Sequence, residues 1–173
     1  MPLAENVADA VPVVIALGSN LGDRAALLES AVTAVGNLDG VRLDGVSAFG
    51  ESAALTPAGT DPARPPYLNA VLLASTTLAP AVLLGRLHAI EAAHGRKRSA
   101  RWADRTLDLD LIDYGGRHVE EPGLSLPHPR AAERRFVLAP WLEVDPDAVL
   151  PGYGPVAAVL QHVPDAGTVG RSR

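Results

Sequence analysis

The chain has 173 residues, 47% of them hydrophobic, a net charge of −5 and no cysteine. That composition suits one globular domain with a sizeable core, and it excludes a disordered chain, a disulfide scaffold and any thiolate nucleophile or thiolate metal site. The acidic balance also argues against a broad nucleic-acid-binding face.

Met1 to Val11 carries Glu5 and Asp9 and has no basic start, so a flexible tail over residues 1–12 is expected rather than a secretory signal. Val13 to Leu17 is an apolar run of strand length, read as a buried central strand, and Gly18-Ser19-Asn20 ends it with helix-capping side chains. A helix is predicted over Asp23 to Val35, with Leu28, Ala31 or Val32, Val35 and Leu38 on its apolar face. The alternation from Val41 to Phe49 predicts a second strand, and the Pro-, Ala- and Gly-rich run from Gly50 to Pro66 a loop of a length that is usually functional or disordered. Tyr67 to Thr76 is the third strand, with Tyr67 and Asn69 on one face at its entrance. Pro80 opens a second helix with Leu83, Leu87 and Ile90 as its buried stripe and Gly95 as the residue that ends it. The uncharged stretch from Tyr67 to Gly85 contains Asn69, Ser75, Thr76, Thr77 and Pro80, and splits into strand and helix rather than a membrane span. The chain is therefore read as soluble, and its lack of cysteine suits a cytoplasmic setting.

The stretch from Gly95 to Asp113 organises the rest. Arg96, Lys97, Arg98, Arg101 and Arg105, set against Asp104, give residues 96–105 a charge of +4, leaving −9 for the remainder. From Thr106 to Ile112, Leu107, Leu109 and Leu111 alternate with Asp108 and Asp110, the period of a half-buried strand. In a strand these two acids share a face at a spacing of about 7 Å. Adjacent carboxylates repel unless a cation sits between them. Magnesium answers that need because it takes oxygen ligands and shares them with phosphates, and an Arg-rich loop beside it suits a polyphosphate. Taken singly, the basic run also reads as a solvated loop and the two acids as an exposed face; their succession favours a Mg–polyphosphate transfer site. Beyond it, Arg117 to Pro122 suggests a hairpin, Leu124 to Arg130 an extended segment and Ala131 to Leu138 a helix. Ala139 to Val144 and a short helix over Val156 to His162 form a C-terminal cap, and residues 164–173 a tail. The order β-α-β-loop-β-α-β predicts an α+β, ferredoxin-like sandwich in a single domain over residues 13–163: an antiparallel sheet with two helices on one face plus C-terminal additions.

Four blocks carry a family resemblance: Gly18 to Asp23, Tyr67-Leu68-Asn69-Ala70, Arg101-Trp102 with Arg105 to Asp110, and Leu126-Pro127-His128. In this order and spacing they resemble the 6-hydroxymethyl-7,8-dihydropterin pyrophosphokinases of folate biosynthesis, over about Val13 to Val163. The resemblance implies transfer of the β,γ-diphosphate of ATP to the pterin hydroxymethyl group, with release of AMP. It implies two Mg²⁺ ions on Asp108 and Asp110, and Arg96 and Arg105 as charge stabilisers. The pterin would lie between Tyr67 and Phe136, with Asn69 and the main chain of Thr56, Pro57 and Ala58 at its edge and Trp102 capping the closed site. On the ATP side it implies Glu91, Arg96, Arg98, Trp102, Arg105, Leu111, Ser125, His128 and Arg134. The partners implied are ATP and the pterin, with no nucleic acid and no membrane, in a monomer.

The sequence departs from the family pattern at Ala103-Asp104, where Gly-Pro is usual, at Ser99, where some members carry a basic residue, and at Pro129, where some carry Tyr. Asp104 weakens the local positive field, so Asp104→Pro is expected to tighten ATP binding or speed loop closure; no gain in either would count against that reading. Two rivals remain at this stage: a ferredoxin-like nucleic-acid-binding module, disfavoured by an aromatic content of 4%, and a Mg-dependent phosphohydrolase or nucleotidyl transferase with another acceptor.

Overall fold

The structure is a computed structural model that describes residues 9–56, 58–95 and 106–164. The elements in order are β1 (Val11–Ser19), α1 (Arg24–Gly36), β2 (Val41–Val46), β3 (Gly50–Ser52), β4 (Ala54–Thr56), β5 (Gly59–Asp61), β6 (Tyr67–Thr76) and α2 (Pro80–Ala93). There follow β7 (Asp108–Tyr114), β8 (Val119–Glu121), β9 (Leu124–Leu126), α3 (Arg135–Val144), β10 (Val149–Leu150), β11 (Gly154–Pro155) and α4 (Val156–Gln161). The main sheet runs β2-β6-β1-β7, and every neighbouring pair is antiparallel. Each of the two β-α-β units therefore returns parallel to its starting strand with one strand between, which is the ferredoxin-like arrangement.

Side-chain alternation on the strands builds two cores. Val13, Ile15 and Leu17 of β1, Leu68, Ala70, Leu72 and Ala74 of β6, and Leu107, Leu109 and Leu111 on β7 or just before it face α1 and α2. There they meet the predicted stripes Leu28, Ala31 and Val35, and Leu83, Leu87 and Ile90. Gly95, with φ +81°, follows α2 as the sequence suggested. On the opposite face Val14, Val71 and Ile112 pack against Val137, Leu138 and Trp141 of α3 and against Leu150 and Val156. The C-terminal additions thus cover part of the second face, and the middle strands are buried on both sides.

Several boundaries differ from expectation for local reasons. Val11 and Pro12 belong to β1, paired with Thr76 and Ser75, and not to a tail. β2 stops at Val46, because Ser47 takes over the pairing through its side chain: its N–H donates to Val71 O at 2.9 Å while its Oγ accepts from Val71 N at 2.9 Å. The presumed loop 50–66 holds β3, which extends the sheet along β6, and the hairpin β4–β5. The helix expected at Ala131 begins as a 3-10 turn over Ala131–Glu133 and restarts at Arg135. It then runs through Pro140, which cannot donate to the Phe136 carbonyl; burial of Val137, Leu138 and Trp141 offsets that loss.

Candidate active site

Asp108 and Asp110 stand on the face of β7 away from α2, with Leu109 and Leu111 pointing the other way into the core. Opposite them on β1 are residues that offer almost no bulk: Asp110 pairs with Ala16 and Asp108 with Gly18. One strand further, Gly18 pairs with Asn69 of β6, and Asn69 in turn with Gly50 of β3. Asp108, Gly18 and Asn69 therefore form one row across three strands, with the acid and the amide about 10 Å apart at the backbone. The second core cluster reaches only as far as Ala16, and this row lies beyond it.

Gly18 keeps the row clear. A Cβ there would stand 3.3 Å from Asn69 Oδ1 and 3.4 Å from Tyr67 Cδ1. The amide cannot simply retreat, because Asn69 Nδ2 donates to Ser52 Oγ at 2.6 Å and to Gly50 O at 3.4 Å. With its Nδ2 held by β3, Asn69 presents Oδ1 towards the Gly18 gap. Ser52 is a member of this site that the sequence did not reveal; only the pairing of β3 with β6, Ser52 opposite Tyr67, brings it there.

Arg134 joins the acid ledge to the aromatic side. Its Nη1 lies 3.5 Å from Asp110 Oδ2, and its guanidinium carbon is 5.6 Å from the centroid of the Phe136 ring. His128 reaches the same region from the segment after β9, its N–H donating to Ile112 O at 2.8 Å. Burial pushes the His128 pKa down to about 4; Arg134 and, more weakly, Arg130 add to this, while Asp108 pulls it up. The ring is therefore neutral at neutral pH. Since Nδ1 accepts from Arg130 N–H at 3.2 Å, the proton sits on Nε2, which is left as a donor.

The depressed pKa predicts a stability effect with a definite sign. The unfolded histidine, with pKa near 6.5, takes up a proton before the folded one does. Stability from this group is complete above pH ~6.5 and declines as pH falls towards 4. In urea titrations His128→Gln should flatten the stability–pH curve across that window relative to the parent; a difference of the opposite sign would contradict the assignment. Asp113, three residues beyond the ledge, behaves differently. A shift in register leaves Ile112 as an extra residue, and Asp113 turns to accept from Gly116 N at 3.3 Å. Burial raises its pKa, with main-chain N–H groups of Gly116 and Tyr114 opposing. It caps the β7–β8 turn and is no part of the ledge.

Other expected site residues are placed less centrally. Glu91, 2% exposed on α2, accepts from Leu109 N at 3.5 Å and lies 4.0 Å from His88 Nε2. The Leu111 side chain is buried under α2, so a contact with nucleotide there is left to its main chain. Ser125 donates to Glu120 Oε2 at 2.9 Å across the β8–β9 hairpin. Ala58 is exposed at the tip of the β4–β5 hairpin, which also carries Thr56. Pro57, Arg96, Arg98, Trp102, Asp104 and Arg105 lie outside the described residues.

The sequence profile of the 7,8-dihydro-6-hydroxymethylpterin-pyrophosphokinase (HPPK) family matches residues 14–146. The chain belongs to the HPPK family. Among HPPK relatives, the 2-amino-4-hydroxy-6-hydroxymethyldihydropteridine pyrophosphokinase of Haemophilus influenzae is 37% identical over 87% of this chain and 92% of its own length. The enzyme of the same name from Methylorubrum extorquens is 41% identical over 80% of this chain and 85% of its own. In structure, the fold is similar to that of wild-type Plasmodium falciparum HPPK-DHPS with pteroate, with a TM-score of 0.67 at 11% identity. That likeness covers 88% of this chain and 42% of the longer protein, and it extends the shared HPPK fold to a distant relative.

Proposed function

We propose that this chain performs the pyrophosphoryl transfer of its family on the acid ledge and Asn69 row, with ATP phosphates over Asp108 and Asp110 and the pterin ring beside Asn69. The activity is transfer of pyrophosphate from ATP to hydroxymethyldihydropterin in folate biosynthesis. The observation that carries the assignment of residues is the row itself: two carboxylates and a pinned amide on one sheet face, separated by a residue without a side chain.

The two acids fit magnesium. They offer hard oxygen donors on one face, opposite Ala16 and Gly18. A pair of carboxylates is what Mg²⁺ takes when phosphates and waters complete its shell. Bound there, magnesium neutralises phosphate charge and lowers the pKa of a coordinated hydroxyl.

The protein supplies position and charge. Asn69 and Tyr67 orient the ring at one end of the row, and Phe136 is the proposed opposite wall. The hydroxymethyl oxygen then bonds to the β-phosphorus as the bond to the α,β-bridging oxygen breaks. AMP departs, and the hydroxyl proton passes to solvent. His128 Nε2–H and Arg134 donate to phosphate oxygens, where negative charge is greatest. Arg96 and Arg105 are proposed to stabilise the transferring group, and Trp102 to cap it. The test is a coupled assay for AMP with and without 6-hydroxymethyl-7,8-dihydropterin. AMP release that depends on the pterin is expected; equal release without it would contradict the reading. Within it, Gly18→Ala should raise the KM for pterin about tenfold by crowding Asn69, with little change in the KM for ATP, as measured in the same assay.

A further inference from the structure

The segment between β3 and β6 leaves the sheet after Ser52 and returns at Tyr67, and one side chain closes its base. Arg24 Nη1 donates to Pro66 O at 2.8 Å, while Nη2 donates to Glu51 Oε1 at 2.7 Å. Asn20 Nδ2 adds a bond to Pro65 O at 3.3 Å. Arg24 thus grips the chain at both ends of the excursion, through a carboxylate on β3 and a carbonyl one residue before Tyr67.

Its position is unusual. Arg24 is the first residue of α1, directly after the Asp23 cap. A cation there opposes the helix dipole and is disfavoured on local grounds. The cost is offset by Glu51 and by two side chains sheltered from water, 28% and 23% exposed. What the clasp holds is the pterin end of the row. Glu51 lies between Gly50 and Ser52, the two residues that accept from Asn69 Nδ2, and Pro66 leads into Tyr67.

We infer that Arg24 is a positioning residue for the pterin: by tying Glu51 to Pro66 it fixes Ser52, Asn69 and Tyr67 relative to one another. This rests on the pterin placement proposed above. A planar fork reaching two acceptors suits arginine, and lysine reproduces one contact at a time. The experiment compares wild type, Arg24→Ala, Arg24→Lys and Glu51→Ala. Its readouts are the KM for each substrate, pterin binding in the presence of a non-hydrolysable ATP analogue, and melting temperature. Arg24→Ala should raise the pterin KM and Kd about tenfold and leave the KM for ATP and kcat within about twofold. Arg24→Lys should recover part of the loss, and Glu51→Ala should show a smaller change of the same sign.

The chain has three tyrosines, so fluorotyrosine labelling gives a short fluorine spectrum in which the Tyr67 signal can be followed. That signal should move in Arg24→Ala without added ligand. Unchanged pterin affinity in Arg24→Ala would overturn the inference, and so would equal losses for both substrates accompanied by a lower melting temperature. Should Arg24→Ala not fold, Glu51→Ala decides by the same readings. A wild type that binds no pterin would overturn the underlying placement, whereas a wild type that binds it, with Arg24→Ala equally tight, would overturn this inference alone.

Discussion

Asp108→Ala and Asp110→Ala should each lower kcat by at least about three orders of magnitude while the protein stays folded. The size follows from what is removed: half of the anionic ledge on which magnesium and ATP phosphate are proposed to sit. Loss of Asp110 should also lower stability. Asp110 sits 3.5 Å from Arg134, whose side chain is 18% exposed, so its loss leaves a sheltered cation short of a partner. Melting curves should therefore place Asp110→Ala below wild type, while pterin binding without nucleotide stays near wild type for both variants. Turnover within tenfold of wild type in either variant would remove the ledge from the chemistry.

The second large effect is expected at Asn69. Asn69→Leu preserves approximate volume and strand preference, but it strips the proposed pterin edge of its amide and leaves Ser52 Oγ without the 2.6 Å bond it now receives. A site built to hydrogen-bond a ligand discriminates strongly when that partner is lost. A drop in kcat/KM for pterin of two to three orders of magnitude (about 3–4 kcal/mol) is expected, with the affinity for an ATP analogue little changed. Isothermal titration with each ligand in turn separates the two. A variant that loses nucleotide binding as severely as pterin binding would show that Asn69 supports the fold and not the ring.

The acid pair is legible in local pattern, whereas a pterin role for Asn69 follows only from the family resemblance. The alternation of Leu107, Leu109 and Leu111 with Asp108 and Asp110 assigns faces without knowledge of any partner strand, because the side-chain period of a strand is fixed. Helix stripes such as Leu83, Leu87 and Ile90 are equally local, and so the ferredoxin-like order of elements emerges from the chain alone. What stayed hidden depends on pairing between distant segments. The resemblance implies Thr56, Pro57 and Ala58 beside Asn69 at the pterin edge; the bond from Asn69 to Ser52 is visible only through the β3–β6 register.

Arg24 is a further case. An arginine opening a helix looks locally unfavourable, and its reason lies in Glu51 and Pro66, far along the chain. Gly18 is read from sequence as ending the first strand, but β1 includes it and runs on to Ser19. Its meaning emerges with Asn69 and Tyr67 beside it. The helix expected over Ala131 to Leu138 differs in the other direction: tertiary burial around Trp141 carries α3 through Pro140 to Val144.

The central claim is that the phosphate-bound metal sits on the acid face at the Asp108–Gly18–Asn69 row. Manganese in place of magnesium, with a non-hydrolysable ATP analogue, tests it through paramagnetic broadening of assigned amide signals. Signals of Gly18, Asp108 and Asp110 should vanish, while those of Glu29 and Ser30 on the far side of α1 remain sharp. Sharp signals along β7, with broadening centred elsewhere in the chain, would contradict the account.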